Sequence, residues 1–373
     1  MDRFAFAGAL LRLLRLERNW SQETLCQGIC AVSYLSKIEQ GRVEANNTIL
    51  TDLFAKFGFD WTAQSHGNME QICAEAYEAV FSGNPRVSKD CKAAVTEKWN
   101  KESIGPWYLD LAVLHAYCTN DPEAVPEQMI AFLSPQQACL FWLLKRQPQT
   151  ALRHYPCALT LFAAGEECYR QGNYLEALEL LQRCFDMSCL GGYVYLMLNC
   201  RAYMANCYSD IQDLDKMMEH SCAAQRMAEA LGDKNLVDTL RYNIAATRME
   251  CGDFEQAYGY FASKESCDAM HLHKLAICCE KLGKREEAIA SLDRVNTEDL
   301  LDQQMCDLVA FRLQDADYLH REEYGALLMK IFRELRQNRA AGYARFHLPW
   351  IEEWCVANRQ YRTVYEIMKD FTK

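Results

Sequence analysis

The sequence predicts an all-α protein, in which a bundle of short helices at the N-terminus precedes a long array of paired helices. Only 8 prolines and 17 glycines interrupt the 373 residues, and such sparse punctuation favours long helices over many short strands. Apolar residues recur at helical spacing, whereas the period-two alternation that indicates strands is not evident. Half of the residues are hydrophobic, which is an ordinary composition for a globular protein.

Charge is divided unevenly along the chain. Residues 1–66 contain equal numbers of basic and acidic side chains, so the formal net charge of −11 lies entirely in the remainder. An acidic body repels nucleic acid. Any contact with DNA is therefore expected from the first 66 residues alone. The predicted domains are accordingly 1–66 and 67–373.

The sequence gives no reason to expect a membrane protein. No apolar run approaches the roughly 20 residues that a membrane span needs. The apolar start, Met1 to Leu16, carries three arginines at intervals and lacks a small-residue cleavage site. It is interpreted as an amphipathic helix and not as a signal peptide. We therefore expect a cytoplasmic protein without membrane contact.

Cysteine is abundant, but its spacing indicates neither a disulfide framework nor a metal site. The 19 cysteines include no C-x-x-C pair, and the pair His271 and His273 has no cysteine at zinc spacing. In a long chain without an export signal, thiols are expected to be free and to act as small hydrophobes on buried helix faces. No metal and no cofactor are predicted.

Four short helices are predicted in the first domain. Ser21 is expected to cap the second helix, and Gly41 and Gly58 are expected to end the third and fourth. Asn47 or Thr48 is expected to open the fourth. The predicted bounds are Phe4–Arg18, Gln22 to about Gly28, Val32–Gln40 and Ile49–Phe57.

The second and third helices are separated by a tight turn, the arrangement whose second helix enters the major groove of DNA. The apolar side chains expected to face inward are Leu25, Ile29, Leu35 and Ile38. Hydroxyl groups can bond to base edges, valine can contact a thymine methyl, and amide or cationic groups suit phosphate. The predicted DNA-binding residues are Gln22, Val32, Ser33, Ser36, Lys37 and Arg42.

Other interpretations of this domain remain open. The domain could be a helical bundle with no DNA role, and Val32 could belong to its core. Glu39 is expected to form an ion pair within the domain and not to touch DNA.

A block of six residues recurs along the second domain. The first residues of its copies are Gly172, Gln212, Gly252, Gly283 and, in a weaker copy, Arg359. Small residues lie seven positions before the first four copies, at Gly165, Ala205, Ala245 and Ala276. The pattern indicates helix pairs that pack closely and stack on their neighbours. Helices are also predicted upstream, over Met69–Gly83, Ser88–Asn100, Trp107–Thr119 and Ala124–Leu133.

Two known families resemble these motifs. The stretches Ser21–Cys26 and Tyr34–Gly41 resemble the Xre/Cro type of helix-turn-helix, and the short connector between them looks like that of the Rgg/PlcR subgroup. That subgroup usually has Gln where this chain has Val32. The recurring blocks resemble tetratricopeptide repeats, which implies a right-handed α-solenoid. The combination resembles the RRNPP peptide-pheromone receptors over nearly the whole chain.

The resemblance implies a function and a second site. It implies a homodimeric transcription regulator of the quorum-sensing type that binds double-stranded DNA and is controlled by a short signalling peptide in the groove of the repeats. Asparagine amides can bond to a peptide backbone whatever its sequence. The implied peptide-binding residues are Asn199, Tyr203, Asn206, Tyr242, Asn243, His273 and Lys274. Taken singly, each of these could be an ordinary solvated or capping residue.

Two alternatives to a peptide-controlled regulator remain. The repeats could form a protein–protein interaction scaffold that receives no peptide signal, with the helix-turn-helix tethering it to DNA. The protein could also be an enzyme, but no catalytic constellation is evident, since Cys168 and His220 lack a partner at readable spacing. No catalytic residue and no enzymatic activity are therefore expected.

Overall fold

The computed structural model describes residues 5–62, 68–102, 104–263, 268–339 and 341–371. These ranges are mostly helical and contain no strand, which confirms the all-α prediction. The chain divides into two compact units, Met1–Ala164 with Gln182–Met197, and Gly165–Leu181 with Leu198–Lys373. The predicted domain boundary between residues 66 and 67 lies outside the described residues.

Four helices open the first unit, and their ends follow local sequence signals. The side chains of Ser21 and Asn46 accept hydrogen bonds from backbone N–H groups in the first turns of the second and fourth helices. Gly41 and Gly58 have φ of 65° and 86° and follow the third and fourth helices. The helices are α1 Ala7–Glu17, α2 Gln22–Cys26, α3 Val32–Glu39 and α4 Asn47–Ala55.

Helix α4 begins at Asn47, one of the two residues predicted to open it, and two positions before the predicted first helical residue Ile49. Its N-cap is Asn46. Asn46 has an extended backbone, with φ −69° and ψ 160°, so its side chain can bond to the N–H of Ile49. The start of α1 also differs, at Ala7, whereas the predicted start at Phe4 lies outside the described residues.

Helices α1 and α3 approach each other closely because of one glycine. Gly8 is buried in α1, and a Cβ placed on it would lie 2.0 Å from the carbonyl oxygen of Ile38. Only a residue without a side chain allows this backbone contact. Leu25, Leu35 and Ile38, predicted to face inward, are buried in the core beside it, whereas the fourth predicted residue, Ile29, is only partly buried. The same core contains Phe6, Leu10, Leu11 and Leu14.

In its described residues, the remainder of the first unit contains five further complete α-helices. They are α5 Met69–Phe81, α6 Pro85–Glu102, α7 Tyr108–Thr119, α8 Pro135–Leu144 and α9 Pro148–His154. The predicted helix Ala124–Leu133 is wrong, since the structure has two 3-10 segments, Pro122–Ala124 and Glu127–Phe132. Pro126 lies between them, and its ring and missing N–H prevent a continuous α-helix.

Paired helices follow, as the recurring blocks predict. Six pairs are present in the described residues, with the short helix α20 before the last pair. They are α10 Ala158–Arg170 with α11 Tyr174–Gly191, α12 Val194–Asp210 with α13 Leu214–Leu231, α14 Lys234–Glu250 with α15 Phe254–Phe261, α16 Ala269–Lys281 with α17 Arg285–Leu292, α18 Leu300–Gln314 with α19 Glu322–Asn338, α20 Ala341–Phe346, and α21 Leu348–Ala357 with α22 Tyr361–Phe371.

Every copy of the predicted block begins at the turn of a helix pair. The first residue of each copy has a left-handed backbone: Gly172 (φ 81°), Gln212 (62°), Gly252 (87°), Gly283 (74°) and Arg359 (58°). The next residue in each copy donates its N–H to a carbonyl five positions back, which is the bond of a Schellman turn. The weak copy at Arg359 therefore forms the same turn as the others.

The small residues seven positions earlier let the paired helices approach. Ala205, Ala245 and Ala276 are at most 3% exposed. A Cβ on Gly165 would lie 3.0 Å from the side chain of Leu181 on the partner helix. The predicted role of these positions in close helix packing is thus confirmed.

The cysteines of the described residues are all free, and most are buried on helix faces. Burial raises the pKa of the thiols of Cys207 and Cys306 to about 12, so they remain protonated near neutral pH. Cys189 and Cys251 are exposed. Across the described residues, no helix combines the length and apolar character needed to cross a bilayer.

Candidate DNA-binding surface and ligand groove

Helix α3 presents the predicted DNA-binding face to solvent. Leu35 and Ile38 on its inner side are 0% and 3% exposed. Val32 is 43% exposed, so its alternative placement in the core is wrong. Ser33, Lys37 and Arg42 are exposed, and Ser36 is half-buried with a hydrogen bond from the amide of Gln40.

A buried ion pair fixes α3 to α1. Arg15 Nε lies 2.7 Å from Glu39 Oε1, and Arg15 Nη2 lies 2.8 Å from Oε2. The third nitrogen, Nη1, donates to the carbonyl oxygen of Trp20 at 2.9 Å. The hydrogen bond and the charge of Glu39 raise the pKa of Arg15. The expectation that Glu39 pairs within the domain is confirmed.

The same carboxylate orients Gln22, a predicted phosphate contact at the start of α2. Gln22 Nε2 donates to Glu39 Oε2 at 2.8 Å. An amide nitrogen carries two hydrogens, so one remains available for an external acceptor. Contact of Gln22 with phosphate remains a prediction.

Lys56 stabilises the turn between α2 and α3. Its ammonium donates to the carbonyl oxygen of Gln27 at 2.6 Å and to that of Thr24 at 3.4 Å. These carbonyls belong to the C-terminal end of α2, where a cation is favourable. The sequence gives no local signal for this contact, because more than 25 residues separate the partners.

The second unit contains a groove of about 310 Å³, the ligand groove, lined by α10, α12, α14, α16, α18 and α20. Six of the seven implied peptide-binding residues line it: Tyr203, Asn206, Tyr242, Asn243, His273 and Lys274. Asn199, one helical turn before Tyr203 on α12, is not among the lining residues. Its assignment to the groove is therefore not supported by the geometry.

Asparagine amides are available inside the groove. Within the described part of the chain, the side chains of Asn206 and Asn243 make no hydrogen bond, whereas Tyr203 donates to Glu166 Oε1 at 2.7 Å. The amides therefore retain both donor and acceptor capacity for a ligand. Tyr169 and Tyr203 pack edge to face with ring centroids 5.7 Å apart, which gives this wall a defined aromatic surface.

Two deeply buried histidines line the same groove. His273 and His347 are 2% and 1% exposed. His347 Nδ1 lies 2.9 Å from the carbonyl oxygen of Tyr343 and must donate to it. Burial lowers the pKa of both rings, to about 4 for His347 and well below its usual value for His273, with the nearby Lys274 adding to the effect. Both imidazoles are therefore neutral at pH 7.

Two carboxylates complete the polar lining. Burial and the neighbouring Glu250 raise the pKa of Asp210 to about 6, although Tyr174 and Arg345 act in the opposite direction. The side chain of Glu250 is solvent-exposed, but it lies within the concavity, and desolvation there raises its pKa while Lys274 lowers it. Sequence reasoning missed both residues. Repeat register was a usable signal, because each lies two positions before the first residue of a block.

Comparison with known proteins agrees with both parts of the fold. Residues 11–62 match the family model described as helix-turn-helix, so the N-terminal domain is a helix-turn-helix domain. No curated protein matches the chain significantly.

Solved structures resemble most of the chain. The Rap protein complexed with Competence and Sporulation Factor has 15% sequence identity and a TM-score of 0.57, over 82% of this chain and 99% of that chain. NprR in complex with its cognate peptide NprX has 16% identity and a TM-score of 0.53, over 81% and 98%. These likenesses confirm a tetratricopeptide-like helical fold.

A third structure, Bacillus thuringiensis PlcR in complex with the peptide PapR7 and DNA, has 14% identity over 77% of this chain and 99% of that chain. Its TM-score is 0.31, which is too low to support a statement about fold.

Proposed function

We propose that this protein, in which a helix-turn-helix domain is followed by a tetratricopeptide-like array, is a transcription regulator whose DNA binding is controlled by a short peptide of the quorum-sensing type. The observation that carries the proposal is the ligand groove. Residues from three consecutive repeats converge on one cavity, and the amides of Asn206 and Asn243 are available there for a peptide backbone.

The DNA-binding part of the proposal is supported by the outer face of α3. Small and cationic side chains at Ser33 and Lys37 are exposed, and they suit close approach to a major groove. The remainder of the chain carries the net charge of −11 and repels DNA. In this proposal α3 is the recognition helix.

The proposal also covers assembly and control. In this proposal the protein acts as a homodimer, because two helix-turn-helix domains related by symmetry bind two half-sites of a DNA repeat. It acts in the cytoplasm and has no enzymatic activity. A peptide changes the affinity for DNA only if it binds one arrangement of the dimer more tightly than the other. The Rap and NprR structures hold Competence and Sporulation Factor and NprX respectively, and this supports the same class of ligand here.

A second candidate function is a protein–protein interaction scaffold, in which the helical array binds a partner protein and no peptide. It is favoured by large apolar side chains exposed on the array, since Leu175 and Leu300 are 81% and 77% exposed. Recovery of one protein in stoichiometric amounts, together with no response to any peptide, would favour this scaffold.

DNA binding is tested with the full chain and a pool of random-sequence duplexes. Sequences enriched by the wild type should bind in a salt-dependent manner. Lys37→Glu should abolish this binding without changing the circular dichroism spectrum. Lys92→Glu makes the same charge reversal at an exposed position on α6 and should retain binding. Unchanged affinity of Lys37→Glu would show that α3 does not contact DNA.

Peptide control is tested by titrating secreted short peptides from the culture medium of the source cells against the protein–DNA complex. A peptide should shift the mobility of the complex or the melting temperature of the protein. Asn206→Ala with Asn243→Ala should weaken that shift while leaving the DNA affinity of the unliganded protein unchanged. A complete absence of response to every peptide fraction would refute the sensor assignment.

A further inference from the structure

Asp210 and Glu250 occupy equivalent positions at the ends of α12 and α14, and both line the ligand groove. Neither carboxylate forms an ion pair in the described residues. We infer that the ligand of this groove carries an ammonium or guanidinium group that binds between these two carboxylates. The inference rests on the proposed peptide-binding function and specifies the chemistry of the peptide.

The charged form of Asp210 is only partly stabilised, because Tyr174 and Arg345 lower the pKa of its carboxyl but burial raises it more. Its Oδ2 atom is buried without a hydrogen bond, although an unsatisfied charged oxygen is costly. Arg345 Nη1 donates to the backbone oxygen of Asp210 and the charge of Arg345 lowers the pKa of the carboxyl, but no ion pair joins the two side chains in the described residues. Glu250 is close enough to raise the pKa of Asp210 further. A cation placed between the two acids would donate to the unsatisfied oxygen of Asp210 and would offset the repulsion between the two carboxylates.

The histidines add an independent observation. Both are more than nine-tenths buried, and among the described residues His347 Nε2 and both ring nitrogens of His273 have no hydrogen-bond partner. Since His347 Nδ1 donates to the Tyr343 carbonyl, Nε2 of the neutral ring is an acceptor. A neutral His273 ring offers one more acceptor. The two carboxylates and these ring nitrogens therefore leave unused hydrogen-bond acceptors in the groove, which suits a ligand group that donates hydrogen bonds.

The aromatic walls favour the same ligand class. Tyr169, Tyr203, Tyr242 and Tyr343 line the groove, and aromatic faces attract ammonium and guanidinium groups. Lys274 is the only cation among the described lining residues, and its ammonium lies 5.3 Å from the ring centroid of Phe346. The groove therefore combines a carboxylate pair, neutral acceptors and tyrosine rings in one cavity.

The test uses the full chain and a positional-scanning library of N-acetylated hexapeptide amides, so that the termini carry no charge. One position at a time is fixed as lysine, arginine, norleucine or glutamate. At one position, the lysine or arginine sets should bind about tenfold more tightly than the norleucine set, as expected for a charge-assisted contact. The glutamate set should bind most weakly.

Variants assign that preference to the carboxylates. Asp210→Asn and Glu250→Gln should each reduce the ratio between the affinity for the lysine set and the affinity for the norleucine set. Glu255→Gln removes an exposed carboxylate on α15 that does not line the groove and should preserve the preference. Because the Glu250 side chain is exposed, Glu250→Gln should fold even if Asp210→Asn does not.

Failures of the two proposals are distinguishable. If peptides bind but lysine and norleucine sets bind equally, or if the preference survives in both groove variants, the cationic ligand is refuted and the peptide-binding function stands. If no set binds to the wild type, both proposals are refuted.

Discussion

Arg15 on α1 and Glu39 on α3 form a two-point ion pair, at 2.7 and 2.8 Å, that is buried beneath the predicted DNA-binding face. The side chain of Glu39 is 2% exposed. Arg15→Ala would leave its carboxylate buried without a counter-charge, so we expect the free energy of unfolding of this domain to fall by about 3–5 kcal/mol. Amide hydrogen exchange across α1 to α4 measures this local loss.

The matched control replaces both charges. Arg15→Met combined with Glu39→Leu removes the ion pair without leaving an unpaired charge, so it should recover most of the exchange protection lost in Arg15→Ala. Equal protection in Arg15→Ala and the wild type would mean that the pair does not hold α3 in place.

Gly8 provides a second test of how α1 and α3 are packed. Gly8→Ala places a methyl group 2.0 Å from the carbonyl oxygen of Ile38, so the helices must separate. We expect a lower melting temperature of the helix-turn-helix domain and weaker DNA binding. Gly259→Ala on α15 meets no atom within 4 Å and should be neutral or stabilising by up to about 1 kcal/mol. A neutral Gly8→Ala would contradict the close helix contact.

Gln212 has a left-handed backbone at a turn position where three other repeats have glycine. Its φ is 62°, a conformation that costs an L-residue about 1–2 kcal/mol. Gln212→Gly should therefore raise the free energy of unfolding, by roughly 0.5–1 kcal/mol after the extra chain entropy of glycine is subtracted. Urea denaturation, with an unchanged dependence of the free energy of unfolding on urea concentration, measures this increase in stability. Gln212→Ala should show no increase. Destabilisation by Gln212→Gly would indicate that its side chain matters more than its backbone.

The lowered pKa of the buried His347 ring predicts how the free energy of unfolding depends on pH. Burial lowers its pKa in the folded protein to about 4, whereas an unfolded histidine titrates near about 6.5. As the pH falls from about 6.5 towards 4, the unfolded chain takes up a proton that the folded protein cannot accept. Stability contributed by the neutral ring is therefore lost over this window, by roughly 3 kcal/mol in full.

The comparison with His347→Asn isolates this effect from Asp210. Asp210 has a raised pKa, about 6, and so favours folding as the pH falls, but it is present in both proteins. The difference in free energy of unfolding between wild type and His347→Asn should decrease from pH 7 to pH 4. Parallel curves from urea melts at these pH values would show that His347 is not buried as a neutral ring.

Features encoded by neighbouring residues were predictable from the sequence. The apolar spacing that turns Leu35 and Ile38 inward also exposes Ser33 and Lys37, because a helix has a fixed period. The turn at Gly252 could be located for a similar reason, since a left-handed residue after a helix favours glycine. Such signals act over a few residues and do not depend on the rest of the fold.

Features that depend on distant residues were missed. Tyr343, Phe346 and His347 line the ligand groove, but α20 lies about 70 residues after the nearest predicted groove residue, and no repeat block marks it. The contact of Arg345 with Asp210 spans 135 residues. Periodicity states which face of a helix is buried and does not state which distant segment covers it.

The buried thiols give the protein a built-in set of reporters for local opening. Five of the six described helix pairs contain a cysteine that is buried in the folded state, whereas Cys189 and Cys251 are exposed to reagents. Brief exposure to an alkylating agent followed by peptide mapping would then rank helices by how often each one loosens, without any introduced label. The abundance of cysteine thus makes local opening of five of the six described helix pairs measurable by mass spectrometry.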